Sequence, residues 1–208
     1  RHIGFHRGQE DAGVERAEPD FDAGERYELT VLFADLRGFT SMSQNLPPEA
    51  VRDTCNEFLT AMTQVVIKHQ GTIDKYVGDA VMAWYNAPVP QPNHTLRAVK
   101  CALAIREAIA ALHKQMPKET HLDFGVGIHY GEAVLGWIGT EKRLEYTAIG
   151  DSVNTTKRIQ ENAAKNQILI SKEAYERVKD EIDAKPFVPL SVKGKTQPLE
   201  VYEVLGLK

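Results

Sequence analysis

Two cysteines in 208 residues, Cys55 and Cys101, are too few for a disulfide scaffold, and they lack the C-x-x-C spacing of a zinc or redox motif. They read as reduced residues packed on helices. Basic charge is not in excess either: 25 Lys and Arg stand against 29 Asp and Glu. The net charge of −4 lacks the basic footprint of a nucleic-acid binder, so no nucleic-acid partner is expected. No apolar run approaches the roughly 20 residues that span a bilayer, so no membrane segment is expected in this chain. No signal peptide is visible, and none of the seven histidines falls in an H-E-x-x-H spacing. No repeat recurs at a solenoid period.

Hydrophobic residues make up 42% and charged residues 26%, which suits a packed core in one domain. Residues 1–27 are rich in Arg, Asp, Glu and Gly without apolar periodicity and read as a linker or disordered lead-in. A domain over residues 28–208 follows. The chain opens on Arg1 rather than Met. The expectation is a cytoplasmic piece of a longer protein whose sensor or membrane part lies elsewhere.

The body begins with Leu29-Thr30-Val31-Leu32-Phe33-Ala34, an apolar run expected as a buried strand. After Pro47 and Pro48, apolar residues recur at Val51, Cys55, Phe58, Met62, Val65 and Val66, which predicts an amphipathic helix stopped by Gly71. Short strands are expected at Thr72–Tyr76 and Ala80–Tyr85 around a Gly78-Asp79 turn, and a second helix over His94–Lys114. Strands are then expected near Leu122–His129, Ala133–Ile138 and Leu144–Ile149, and a helix near Ser152–Ala163. The tail predicts a strand at Ile168–Ile170, a helix at Lys172–Lys179 and strands at Phe187–Val192 and Leu199–Leu205. The order predicts an α+β fold, with a ferredoxin-like β-α-β-β-α-β core and a C-terminal β/α/β extension. Its helices should pack on a mainly antiparallel sheet.

Asp35 ends the buried strand, in Phe33-Ala34-Asp35-Leu36-Arg37-Gly38-Phe39-Thr40. A carboxylate there is either a cap or a site residue. Asp79 sits at the hairpin tip of Lys75-Tyr76-Val77-Gly78-Asp79-Ala80-Val81-Met82-Ala83, where Gly-Asp alone is an ordinary turn. Taken together, the two could reach one point if their strands are neighbours. Paired carboxylates suit Mg²⁺, which uses one or two of them plus substrate phosphates.

The stretches Phe33–Thr40, Lys75–Ala83 and Glu145–Arg158 together resemble the class III adenylate and guanylate cyclase catalytic domain, in its cyanobacterial and soluble branch. The resemblance covers about residues 28–205. It implies conversion of ATP to 3′,5′-cyclic AMP and pyrophosphate with two divalent ions, Mg²⁺ or Mn²⁺. It implies that Asp35 and Asp79 bind metal with the Leu36 carbonyl, and that Lys75 and Thr147 read adenine. Asn154 is then expected to orient the ribose, Arg158 to contact the α-phosphate and Lys195 to reach the terminal phosphates. It also implies a homodimer, with the metal aspartates facing the partner chain's Lys75, Thr147, Asn154, Arg158 and Lys195. Bicarbonate is a candidate effector because Thr147 is similar to the branch that it stimulates.

A lysine ammonium only donates and suits the acceptor N1 of adenine, whereas guanine offers an N–H there. The Thr147 hydroxyl can accept or donate and so discriminates less than a carboxylate. Gly125 stands where membrane-bound relatives carry a phosphate-binding Arg, and Arg37 is a candidate substitute. A guanylate cyclase and a regulatory module without catalysis are the rival readings. Gly194-Lys195-Thr196 imitates a P-loop end, but Pro189 holds the place of its first glycine.

Overall fold

The computed structural model describes residues 24–140 and 142–208. The element order among them is β1 (Glu25–Arg37), α1 (Phe39–Asn45), α2 (Pro48–Lys68), β2 (Thr72–Val77), β3 (Ala80–Tyr85), α3 (His94–Gln115), β4 (Asp123–Thr140), β5 (Arg143–Ile149), α4 (Asp151–Glu161), β6 (Gln167–Ser171), α5 (Lys172–Val178), β7 (Ile182–Pro186) and β8 (Val201–Leu207). The fold is α+β, as expected. Strand order runs β2-β3-β1-β4-β6-β8-β7, with β5 paired to β4 off that path. The first four strands form the ferredoxin-like antiparallel unit. Among the described residues, only the β4–β6 pairing is parallel.

Of the expected lead-in, residues 1–23 lie outside the described residues. Glu25–Tyr27 already belong to β1, because the polar start of that strand pairs with Leu135–Ala133 of β4. The two strands expected over 122–138 are one continuous β4 of 18 residues. Gly131 does not break it. A Cβ there would fall 2.4 Å from Ser152 Oγ, so the glycine admits α4 against the strand. The apolar stretch 187–192 is not a regular strand and makes one bridge, Leu190 to Leu199. Pro189 interrupts it, and a proline cannot donate to a ladder. The edge strand forms instead at the more polar β7, which needs no apolar alternation because it is largely exposed.

The sheet separates two apolar layers. Leu32, Ala34 and Leu36 face the α2, α3 and α5 side, packing with Phe58, Met62, Ile105 and Ala174. Val31 and Phe33 face the other way, with Met82, Trp84 and Leu135. Period-two alternation therefore puts Asp35 on the second face, away from the main helix layer. Helix α4 and the turn after it cover part of that face through Ile159 and Ala163. Among the described residues, no helix is long and apolar enough to cross a membrane.

Candidate active site

Asp35 lies two residues before the end of β1, and its register partner on β3 is Ala80. Asp79 immediately precedes Ala80 in the β2–β3 turn, where Gly78 takes φ 63°. The Leu36 N–H donates to the Asp79 carbonyl at 3.3 Å, which fixes the turn against β1. The two aspartates and Leu36 thus line one cleft of about 890 Å³, together with Phe39, Thr40, Val51 and Cys55. Strand pairing supplies the convergence that neither turn chemistry nor periodicity alone could guarantee.

Burial pushes the Asp35 carboxyl up to about 6, and neighbouring Asp79 adds to the rise against the pull of the Arg37 cation. Arg37 Nη1 donates to Asp35 Oδ2 at 3.1 Å. Among the described residues, Asp35 Oδ1 is buried with no hydrogen bond of good geometry, although the Gln160 amide lies close enough to lower the carboxyl's pKa. A buried acceptor without a well-placed donor is costly, and a cation would satisfy it. Two carboxylates lining one cleft form a hard-oxygen donor pair that fits Mg²⁺. Among the described residues, no group of three His, Cys, Asp or Glu gathers as a self-sufficient metal cage. An ion here would need further oxygens, such as those of a phosphate.

Arg37 was expected as a substitute phosphate contact. Its Nη2 instead donates to the carbonyls of Gln160 and Ala163, at 2.8 and 3.0 Å, while Nη1 holds Asp35. The fork therefore ties β1 to the end of α4.

The other candidates gather elsewhere. Lys75, on β2, sits 3.1 Å from Glu145 Oε1 on β5. Thr147, also on β5, is buried, and its Oγ1 donates to Asp74 Oδ2 at 2.6 Å. Asn154 and Arg158 lie on the exposed side of α4, one turn apart, while Thr155, Thr156, Ile159 and Gln160 face the sheet. Arg158 donates to Glu161 at 2.9 Å. Lys195, in the loop before β8, donates to the Asp151 carboxylate at the start of α4. None of these five lines the aspartate cleft. Asp74 and Glu145 carried no assigned role in the reading of the sequence, although Glu145 opens one of its motif stretches. Their signal is weak, since an acid beside a lysine is usually a solvated neighbour.

The far halves of β4 and β5 form a ribbon beyond the main sheet. Ile138, Leu144 and Tyr146 on it are exposed. Tyr146 meets Trp137 edge-on, with ring centroids 5.3 Å apart. Large apolar side chains left exposed together mark an interaction surface.

The family model described as the adenylate and guanylate cyclase catalytic domain matches residues 21–206. Adenylate cyclase 1 of Rhizobium meliloti is 35% identical over 94% of this chain. The match takes in 30% of that relative, so the chain spans about a third of its length. The crystal structure of the adenylyl cyclase CyaB from P. aeruginosa superposes with a TM-score of 0.84 at 35% identity, covering 89% of this chain and 97% of that one. The guanylyl cyclase Cya2 superposes at 0.80, also at 35% identity, over 89% of this chain and 95% of its own.

Proposed function

The chain belongs to the adenylate and guanylate cyclase catalytic-domain family, and on that premise we propose that it converts ATP to 3′,5′-cyclic AMP and pyrophosphate. The observation that carries the reaction class is the meeting of Asp35, Asp79 and Leu36 in one cleft, with Asp35 Oδ1 lacking a hydrogen bond of good geometry among the described residues. Those groups would hold two divalent ions, Mg²⁺ or Mn²⁺. When bound, such ions supply charge neutralisation of the triphosphate and acidify the ribose 3′-hydroxyl.

The chain's own residues would do the rest. Lys75 and Thr147 read the purine, Asn154 orients the ribose, and Arg158 faces the α-phosphate. Lys195 receives the terminal phosphates. The ribose 3′-oxygen forms a new bond to the α-phosphorus as the bond to the bridging oxygen breaks, and pyrophosphate carries that electron pair away. The hydroxyl proton passes to Asp35, to water or to the substrate itself. A planar Arg fork matches a phosphoryl group gaining charge, so the contribution is mainly positioning and electrostatics.

Two chains are needed in this reading. Lys75, Thr147, Asn154, Arg158 and Lys195 do not line the aspartate cleft of their own chain. A two-fold homodimer joined through the exposed ribbon would bring each set to the partner's aspartates. The purine choice rests on Lys75, because an adenylyl and a guanylyl cyclase resemble this chain equally in identity. Bicarbonate stimulation rests on Thr147 alone, and a titration at fixed pH tests it.

Incubation of the purified chain with ATP or GTP and Mg²⁺ or Mn²⁺ tests the whole reading. Cyclic AMP should be the main product. Cyclic GMP in excess would overturn the purine assignment, and no cyclic product from either nucleotide would overturn the enzyme.

A further inference from the structure

We infer that Asp74 is a positioning residue that fixes the hydrogen-bonding polarity of Thr147 and thereby favours adenine over guanine. The inference rests on the reading of Thr147 as a purine contact.

The backbone comes first. β2 pairs with β3 as Ile73 to Ala83 and then Lys75 to Met82, so Asp74 is an extra residue in the ladder. Such a bulge breaks the up-and-down alternation and re-aims a side chain. Its consequence is visible in the partners. Asp74 and Lys75 are consecutive, yet both reach β5. Asp74 binds Thr147, and Lys75 sits beside Glu145. In a regular strand, neighbours point to opposite faces.

The bond to Thr147 has a fixed direction. An ionised carboxylate accepts and cannot donate, whereas a threonine hydroxyl has one proton and lone pairs. The Thr147 hydroxyl donates to Asp74 Oδ2 at 2.6 Å, so its proton is committed. What remains on Oγ1 is acceptor capacity. Adenine presents an amino donor at its six position, and guanine presents a carbonyl acceptor there. A Thr147 that only accepts pairs with adenine and opposes guanine oxygen. A free hydroxyl would rotate and serve both.

The carboxylate is held under strain of solvation. Burial raises the Asp74 pKa, against the opposing pull of the Thr147 bond and the Lys75 charge. The Ala148 backbone N–H adds to that pull, although among the described residues Oδ1 makes no hydrogen bond of good geometry. Thr147 is the side chain among the described residues that donates a hydrogen bond to Asp74, so this bond is the one through which Asp74 can act on a bound base.

The test compares kcat/KM for ATP and for GTP, with Mg²⁺, in the wild-type chain, Asp74→Ala, Thr147→Ala and the double variant. The ratio is read within each preparation, so a loss of folded protein cancels. Asp74→Ala should lower the ATP-to-GTP ratio about tenfold, as expected for one mismatched buried polar pair. In the Thr147→Ala background the same change should leave the ratio where it was. Asp74→Leu, of similar volume without an acceptor, carries the same expectation if the alanine variant does not fold. An unmoved ratio, or an equal drop with Thr147 already removed, overturns the inference and leaves the cyclase reading standing. A wild type that makes no cyclic nucleotide, or prefers GTP, overturns the reading on which it rests.

Discussion

The Arg37 guanidinium fills the space that a side chain at position 125 would occupy: a Cβ on Gly125 would meet Arg37 Nε at 2.9 Å and Nη2 at 3.0 Å. The register explains the meeting. Asp35 lies opposite Gly125 across the β1–β4 ladder, and Arg37 follows two residues later on the same face. The space beside Gly125 is therefore taken by an arginine that arrives from the neighbouring strand and is already bonded to Asp35 and to the carbonyls of Gln160 and Ala163.

Gly125→Ala should displace that guanidinium. The contact is with the far end of a long side chain, so the fold can adjust. It would adjust by weakening the bonds to Asp35 and to the carbonyls of Gln160 and Ala163. A loss of about 1–3 kcal/mol is expected. Thermal unfolding should show a lower Tm, and an unchanged Tm would mean that the fork relocates without loss.

Asp35 should make the metal-free protein's stability depend on pH. Its folded pKa, about 6, stands above the ordinary carboxylate value of 3.8. Between those values the folded state holds more of the proton than the unfolded state, so stability falls as pH rises. Above pH 6 the full penalty applies, about 1–2 kcal/mol after allowance for solvent screening. In EDTA, Asp35→Asn should therefore be more stable than wild type at pH 7.5, with the gain fading as pH drops toward 4. Denaturant midpoints across that range measure it, and a less stable Asp35→Asn at pH 7.5 would refute it.

Divided sites predict complementation. Asp35→Ala and Arg158→Ala homodimers should each be inactive in the cyclase assay. Equal mixing with subunit exchange makes half the dimers mixed, and each mixed dimer has one intact site of two. Activity should return to about a quarter of wild type. Mixed dimers without activity would place all the machinery in a single chain.

The ribbon predicts the assembly. Ile138 is 48% exposed and Leu144 is 39% exposed. Ile138→Asp and Leu144→Asp should each shift sedimentation toward the monomer, because a charge buried at an apolar interface lacks a partner. Cyclase activity should fall with the dimer fraction, and a dimer that survives both changes would move the interface elsewhere.

The pattern of residues foretold the helices at Pro48–Lys68 and His94–Gln115 because each buries a stripe recurring every three or four positions. It did not foretell α1, whose seven residues bury only Met42. It also split β4 in two, since Tyr130-Gly131-Glu132 reads locally as a break. Tertiary packing overrides that signal: Tyr130, Gly131 and Glu132 stay in register with Thr30, Leu29 and Glu28 of β1. In the tail, an apolar stretch looked like a strand, yet its Phe187, Leu190 and Val192 serve packing in an irregular segment while Val188 is exposed.

The sequence by itself determined the two aspartates, the Lys75 motif and the Asn154–Arg158 spacing, because each is a local string whose chemistry is carried by residue type. The tertiary structure decided which of them meet. Asp35 and Asp79 converge because β1 and β3 are hydrogen-bonded neighbours, whereas the purine-reading and phosphate candidates lie outside that cleft. Only the fold could bring Arg37 over Gly125 and Asp74 to Thr147. Those pairs join residues 88 and 73 positions apart; the β1–β4 register closes the first separation and packing between β2 and β5, which do not pair with each other, closes the second, and no local pattern encodes either.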